Sequence, residues 1–504
     1  MNMDYLSAIQ SVMNPMCLLC ILLGVAVGMV VGTLPGLTSV MAISLITPLT
    51  FKLNPTYGFA MLLGVYNSAI FSGGISAIAI NTPGTPASIA TTFDGYKISR
   101  RGRAGFALGV NTIYSVIGGL LSTIALMVAC APLARLALNF GSPEYFWLAL
   151  FGLSMMISVS HASLAKGLVT GFVGMLLATV GLDPLLGSKR FVGNNISLMD
   201  GIAFIPVMIG LFGVGEMLFQ IFEHKKEDDN KKDIVDLKDK ERVLPTKEEH
   251  KRMTIPGLIG SVIGVLVGIV PGTGGDISAL ISWDVSKRVS KHPEEFGDGS
   301  IEGLATTCAS NNASIGGALT TALALGIPGD GNTAVLLGAL TMYGMVTGPT
   351  LLSNSAPFVC KLYIIMIVAN LIILPLGLLS AKACIKLLSI KSQYIQMAVL
   401  LICCVGAYSM NRNYTDVIVM FIAGICGFFF RKYDYPLGPM ILGLLLGDMC
   451  ETNLRRTLML SNGSYLQLFT GPISIGLIVL ILLAIGWPFI SNLFQKSKNK
   501  KVEG

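Results

Sequence analysis

Charge is what this sequence has least of. Asp, Glu, Lys and Arg make up 12% of its 504 residues, where soluble domains run at about 25%. The shortage is concentrated. No charged residue occurs from Tyr5 to Phe51, from Leu53 to Phe93, from Ala104 to Ala134 or from Thr457 to Gln495. A bilayer-spanning helix needs about 20 such residues, and each stretch exceeds that. With a mean hydropathy of +0.71, the chain is no water-soluble enzyme, nucleic-acid binder or secreted disulfide scaffold. An outer-membrane barrel is excluded too, since its strands alternate over about 10 residues. Histidine is scarce: His161, His224, His250 and His292 are scattered. The ten cysteines lie mostly in apolar runs, as Cys17, Cys20, Cys403 and Cys404 do, without metal-ligand spacing. A reduced protein without a metal site or other cofactor is expected. No Gly-x-x-x-x-Gly-Lys-Ser/Thr occurs; the run from Gly181 to Lys189 has the wrong spacing, so ATP hydrolysis is not expected. The opening MNMDYLSA lacks the basic start of a cleaved signal peptide.

What remains is an all-α polytopic membrane protein of about 11 or 12 crossings. Its excess of 35 basic over 28 acidic residues belongs to the loops that orient the helices. One segment, from Glu223 to Arg252, is dense in charge of both signs and reads as a solvated linker. It divides the chain into a first transmembrane repeat (1–222), a cytoplasmic linker (223–252) and a second repeat (253–504) with a basic tail, Lys496 to Lys501.

The halves resemble each other. Gly24, Gly28, Val31, Gly32, Pro35 and Gly36 recur as Gly260, Gly264, Val267, Gly268, Pro271 and Gly272. Gly73-Gly74 leads to Asn81-Thr-Pro-Gly-Thr-Pro86, and Gly316-Gly317 leads to Gly326-Ile-Pro-Gly-Asp-Gly331. Each half thus carries two Pro-Gly breaks inside apolar runs, and duplication is the simplest explanation. Loop charge implies that the copies are inverted. After its first break the first half has only Lys52, where the second has Lys287, Arg288 and Lys291; after the second break the first half has Lys97, Arg100, Arg101 and Arg103, while the second has no charge from Gly331 to Cys360. Basic loops favour the cytoplasm, so equivalent loops face opposite sides, as in secondary transporters with inverted repeats and broken helices or re-entrant hairpins.

Proline removes a helical hydrogen bond, and freed backbone groups in hydrocarbon cost several kcal/mol each unless paired. Broken helices are therefore expected where protein or a water-filled cavity covers them. Half-helix N-termini suit a carboxylate, and unwound carbonyls suit Na⁺. The substrate-binding candidates are Thr33, Pro35, Gly36, Asn81, Thr82, Gly84, Thr85, Gly272, Thr273, Gly274, Asn311, Asn312, Gly329, Asn332 and Thr333. The glycine ladders at 24/28/32 and 260/264/268 read instead as helix-packing faces. Asp276 and Asp330 sit at breaks and have two readings, coupling of H⁺ or Na⁺ or helix capping; Asp94 and Glu302 border loops and are weaker candidates.

These residues resemble a known family. Gly32-Thr-Leu-Pro-Gly-Leu37, Ser72-Gly-Gly-Ile-Ser-Ala-Ile-Ala-Ile-Asn-Thr-Pro-Gly-Thr-Pro86, Asp94-Gly-Tyr96, Val270-Pro-Gly-Thr-Gly-Gly275, Ser310-Asn-Asn312 and Gly326-Ile-Pro-Gly-Asp330 look like the TctA family, the large membrane subunit of tripartite tricarboxylate transporters. The resemblance implies a multi-pass permease of the bacterial inner membrane that imports di- or tricarboxylates on a Na⁺ or H⁺ gradient. It implies two partners, a periplasmic solute-binding protein and a small membrane subunit. Two rivals remain on the residues alone. A passive anion channel would use the breaks as a filter, but rings of Lys or Arg are missing there. An intramembrane enzyme would need Asp276 and Asp330 as a pair, and neither lies in the Gly-x-Gly-Asp of intramembrane aspartyl proteases.

Overall fold

The computed structural model describes residues 5–159, 164–183, 185–194, 196–223, 242–388 and 392–483. The described residues are 81% helical, and a short antiparallel pair, β1 (Gly181–Leu182) with β2 (Lys189–Arg190), is their strand content. Seven of the described helical stretches are long and apolar enough to cross a membrane: Pro15–Thr33, Pro55–Ile80, Pro86–Ala137, Phe204–Phe222, Lys247–Ile269, Ala356–Leu379 and Tyr414–Lys432. Five shorter apolar helices accompany them. The protein is an all-α polytopic membrane protein. Most of the charged linker, residues 224–241, lies outside the described residues, as does the basic tail. Residues 247–252 of the linker form the first turns of a helix, begun by a capping box in which Thr246 and Glu249 satisfy each other's backbone N–H.

By packing, the chain divides into two units. One takes residues 1–134 and 205–429, the other 135–204 and 430–504. In the first unit the helices run α1 (Tyr5–Val12), α2 (Pro15–Thr33), α3 (Ser39–Thr50), α4 (Pro55–Ile80), α5 (Ile89–Ile98) and most of α6 (Ala104–Ala137). After the second unit's α7 (Ser142–Val159) and α8 (Leu164–Ala178), the first unit resumes with α9 (Phe204–Met208), a π-helical segment (Ile209–Val214) and α10 (Gly215–Glu223). It continues through α11 (Lys247–Ile269), α12 (Gly274–Val289), α13 (Ile301–Leu325), α14 (Gly331–Met342), α15 (Pro349–Asn354), α16 (Ala356–Leu387), α17 (Ser392–Asn411) and most of α18 (Tyr414–Lys432).

Two helix pairs organise this unit, α2 with α4 and α11 with α13. Gly24, Gly28 and Gly32 press on the backbone of α4 at Met61, Val65 and Ala69. Gly260, Gly264 and Gly268 press on α13 at Thr306, Ser310 and Ser314 in the same way. A Cβ at Gly264 would stand 2.5 Å from the Ser310 carbonyl oxygen and 2.8 Å from the Ala313 Cβ. Small residues at every turn let two backbones approach this closely, which is how helices associate where the solvent is as apolar as leucine. The opposite faces carry exposed aliphatics, Leu19, Leu22 and Val30 on α2 and Ile255, Leu258 and Leu266 on α11, which suit lipid. By contrast α4 and α13 are buried almost throughout.

The second unit packs α7 and α8 against α19 (Leu437–Leu460) around Ala149, Leu153, Leu442, Leu446 and Cys450. At the end of α19, Asp183 binds Arg190 and Arg455 (2.7 Å from the latter), while Glu451 binds both arginines. The Leu185 and Leu186 amides donate to Asp183 at 2.8 and 2.9 Å. Hydrogen bonds from Arg455, then Arg190 and these amides, hold the Asp183 carboxyl well below the usual carboxylate range.

Two measurements check this packing. Gly264→Leu should lower thermal stability in detergent, by about 1–3 kcal/mol for an overpacked contact; an unchanged melting midpoint would show that the helices can separate there. A carboxyl with a depressed folded-state value stabilises above its unfolded value of about 3.9 and loses that stabilisation as pH falls through the folded value. Hydrogen-exchange protection of Leu185 and Leu186 should therefore hold from pH 7 down to about 4. In Arg455→Ala the loss should move up toward pH 4.

Candidate functional site

All four Pro-Gly breaks fall in the first unit. At the first, α2 ends at Thr33, whose hydroxyl donates to the Met29 carbonyl at 2.7 Å. The chain turns through Pro35 and Gly36 (φ 87°), and the Thr38 hydroxyl accepts the Met41 N–H at 3.2 Å to cap α3. At the second, α4 stops on Asn81 in the left-handed region (φ 55°). The chain then folds back so that the Gly84 N–H donates to the Gly73 carbonyl at 3.2 Å. Gly84 lies against the Gly32 carbonyl and the Ser76 hydroxyl, where a side chain would collide. In the second half the two breaks are bonded directly, with the Gly272 N–H donating to the Gly329 carbonyl at 2.7 Å. The Thr273 hydroxyl closes the end of α11 by donating back to the carbonyls of Val267 and Val270. In each half, then, the paired breaks lie side by side, and backbone groups freed by proline find partners in the protein.

The halves also meet across the breaks. The short 3₁₀ turn Pro86–Ser88 of the first half packs on α12, and α14 packs on α3. Gly275 is the near point of the first contact: a Cβ there would lie 3.1 Å from the Ala87 Cβ and 2.9 Å from both Asn311 Oδ1 and Ser314 Oγ. Gly331 stands against Val40 at the second.

Asp330 joins the two. It is the N-cap of α14, and its Oδ1 accepts the Thr333 amide at 2.8 Å and the Thr333 hydroxyl at 2.7 Å. Its Oδ2 accepts the Tyr66 hydroxyl of α4 at 2.6 Å and the Asn332 amide at 2.9 Å. The capping reading of Asp330 is therefore realised, by an aspartate whose four donors come from both halves. Asp276 lies half-buried in the first turn of α12. A Cβ on Gly274 would stand 2.8 Å from Asp276 Oδ1 and 4.0 Å from the Asp330 Cβ, so both acids flank the same glycine.

At this junction lie buried polar atoms that find no hydrogen-bond partner among the described residues, Thr85 Oγ1 and the amide oxygens of Asn311 and Asn332, with Ser310 Oγ and the Asn312 amide oxygen likewise unpartnered elsewhere on α13. Such an atom costs about 1–3 kcal/mol, and a cluster of them in a tightly packed bundle asks for a role. Gly84, Thr85, Gly272, Thr273, Gly274, Asn311, Gly329, Asn332 and Thr333 belong to this junction or its rim. Asn312 points deeper, donating to the Asn67 carbonyl at 3.3 Å, where Asn370 also bonds Asn67. Asn81 and Thr82 are exposed at the tip of α4, the Thr82 hydroxyl donating to Ile80. Thr33, Pro35 and Gly36 form the turn between α2 and α3, at the end of α2 that Gly84 approaches.

Asp94 and Glu302 serve as structural anchors. Asp94 Oδ1 accepts the amides of Gly297, Gly299 and Ser300 at 2.8–3.0 Å, and its Oδ2 accepts the Trp283 indole at 2.7 Å. Glu302 binds Arg252 and Ser290, both at 2.5 Å. An apolar cavity of only about 10 Å³ beside α14 is lined by Phe59, Leu63, Leu319, Leu337 and Met366, with Thr333 at its edge; its size and walls do not suit a carboxylate. Sequence reasoning passed over Tyr66 and Ser314 at the junction. It also passed over Glu216 and Gln220, which lie near the first turn, although Glu216 is the lone charge between Asp200 and Glu223.

The profile of the tripartite tricarboxylate transporter TctA family matches residues 18–442. The chain belongs to the TctA family. Every candidate site residue falls inside the matched span. An uncharacterised 52.8 kDa protein of the TAR-I ttuC′ 3′ region of Agrobacterium vitis is 34% identical over 493 residues, 98% of this chain and 97% of its own length. A protein of the TAR-II ttuC′ 3′ region of the same organism is 31% identical over 244 residues, 48% of this chain and 99% of its own. No solved structure matches. As a TctA-family protein the chain is a multi-pass membrane component of a tripartite tricarboxylate transporter.

The Asp330 junction makes a direct prediction for this TctA-family chain. Asp330→Ala orphans the Tyr66 hydroxyl and the Thr333 amide and should destabilise by about 2–4 kcal/mol, near 1–3 per buried group. Asp330→Asn keeps an N-cap acceptor and should lose less than half as much. Thermal midpoints in detergent decide it; equal losses would mean that the charge, not the cap, holds the junction.

Proposed function

We propose that the protein is the large permease subunit of a bacterial inner-membrane system that imports small di- or tricarboxylates by ion-coupled alternating access. A periplasmic solute-binding protein delivers the substrate, and a small membrane subunit completes the complex. The observation that carries this reading is the set of unsatisfied buried atoms where the breaks of the two halves meet. Their chemistry is mixed. The hydroxyl of Thr85 can donate to a carboxylate. The amide oxygens of Asn311 and Asn332 can only accept, and so favour a cation or a donor. A carboxylate entering with Na⁺, or in protonated form, satisfies both kinds at once. Among the described residues no Lys or Arg lies at the junction to neutralise a bare polyanion, which supports a co-transported cation over a free anion pore. The junction is densely packed, so a substrate reaches it only if one set of broken segments moves relative to the other.

Proteoliposomes containing this subunit, its small partner and the cognate binding protein would test the reading with radiolabelled citrate as the first probe. Uptake should require an inward Na⁺ or H⁺ gradient. Asn311→Ala should lower it at least about tenfold, the effect of one lost buried polar contact, with membrane abundance unchanged. Uptake that ignores both gradients, or that is equal in the variant, would remove this site from the mechanism.

A further inference from the structure

The first break is held from a direction that the junction does not include. The span 204–223 contains a π-helical segment at Ile209–Val214. A π-turn inserts one residue and rotates the downstream helix by about 100°. Here the segment seats its glycines on the neighbours: Gly210 lies on the Met420 carbonyl, and a Cβ at Gly213 would meet Cys403 Sγ at 2.7 Å. One turn later come two polar residues in an apolar run, Glu216 and Gln220, which are 7% and 8% exposed. They stand four apart on one face of α10. The Gln220 Nε2 donates to the Gly36 carbonyl at 2.7 Å and to Glu216 Oε1 at 2.9 Å. The Gln220 Oε1 in turn accepts from Gln396 of α17 at 3.4 Å. Gly36 is at φ 87°, and a Cβ there would strike the Gln220 amide. The carbonyl of the break and the side-chain amide are thus fitted to each other.

We propose that Gln220 is a positioning residue for transport: it fixes the Pro35-Gly36 turn, Glu216 and Gln396 orient its amide, and the π-helical segment aims the group at the turn. This rests on the carboxylate-transport reading. Gln220 does not touch the junction and is given no contact with substrate. Its effect runs through the turn, which leads directly into α3, the helix on which α14 and Gly331 pack. When the tie is lost the turn samples more conformations, and substrate binding must reorder it. That cost falls on apparent affinity, since the competent state is less populated, while the turnover of occupied protein is spared. The hydrogen bond between Glu216 and Gln220 needs an acceptor at position 216 but not a charge, and this separates positioning from ion carriage.

The test uses Gln220→Met, similar in length and without an amide, together with Glu216→Gln and Glu216→Met, all in the complete three-part system. Two readouts are taken: the concentration dependence of citrate uptake, and hydrogen exchange of residues 34–38 without substrate. In Gln220→Met the KM should rise about tenfold or more with the maximal rate within twofold, and exchange at 34–38 should quicken by a similar factor. Glu216→Gln should recover most of what Glu216→Met loses. Unchanged KM and exchange in Gln220→Met would overturn the proposal, as would a Glu216→Gln variant as impaired as Glu216→Met, which would mean that the carboxylate charge itself is required. If the wild-type complex takes up no carboxylate, the transport reading fails by itself, and the exchange comparison still decides whether Gln220 holds the turn.

Discussion

A helix interrupted inside hydrocarbon leaves N–H and C=O groups with no water to bind, and everything distinctive in this molecule answers that constraint. Each break is closed with what lies nearest. Thr33 and Thr273 return hydroxyls to the last turns of α2 and α11. The Gly272 amide takes the Gly329 carbonyl, Asp330 caps α14, and Gln220 crosses from another helix to the Gly36 carbonyl. Because breaks are cheapest to satisfy against one another, they gather. That gathering is what brings residues far apart in sequence, such as Tyr66 and Asp330, within 2.6 Å.

Gathering requires close backbone approach, and the glycine ladders supply it. α2 meets α4, and α11 meets α13, through glycines that lie directly on carbonyl groups. Larger residues at those positions would hold the paired helices apart and separate the breaks at their ends. Packing and site are therefore one design: the ladder sets the distance at which the polar junction can close. The matching aliphatic faces on α2 and α11 complete the logic, since a helix this smooth on one side must present its bulk to lipid on the other.

Much of this was legible in the residues. Charge-free runs marked the spans, proline with glycine marked the breaks, and glycines four apart marked the packing faces, because each is a local property with a fixed period or composition. Partners were harder to see. Tyr66 lies in an apolar run and looks like core until a carboxylate from another helix arrives. Gln220 looks like a helix surface residue, and only the π-helical offset turns it inward. Asn81 and Thr82 show the converse. They sit in the most distinctive motif of the first half, yet a left-handed residue at the end of α4 leaves them exposed, while Thr85, three residues on, is buried. Motif density located the break, but the direction of each side chain depended on the backbone path through it.

The distribution of donors around Asp330 bears on its role. Asp330 already receives four hydrogen bonds, a set that a carboxylate can hardly exceed. For it to take a cation, Tyr66 or Asn332 would have to swing away, and a proton would displace one of the four. Among the described residues, the acceptors nearby without a hydrogen-bond partner include the amide oxygens of Asn311 and Asn332. On the proposed ion-coupled reading, an ion arriving at the junction gains most by adding to the amides while Asp330 keeps its cap. In the proposed transport reading Asp330 holds α4 to α14, and the ligand-facing work falls to neutral side chains. Neutral ligands would suit the ion release that the proposed coupling requires, since they bind a cation without the deep well that a bare carboxylate would create.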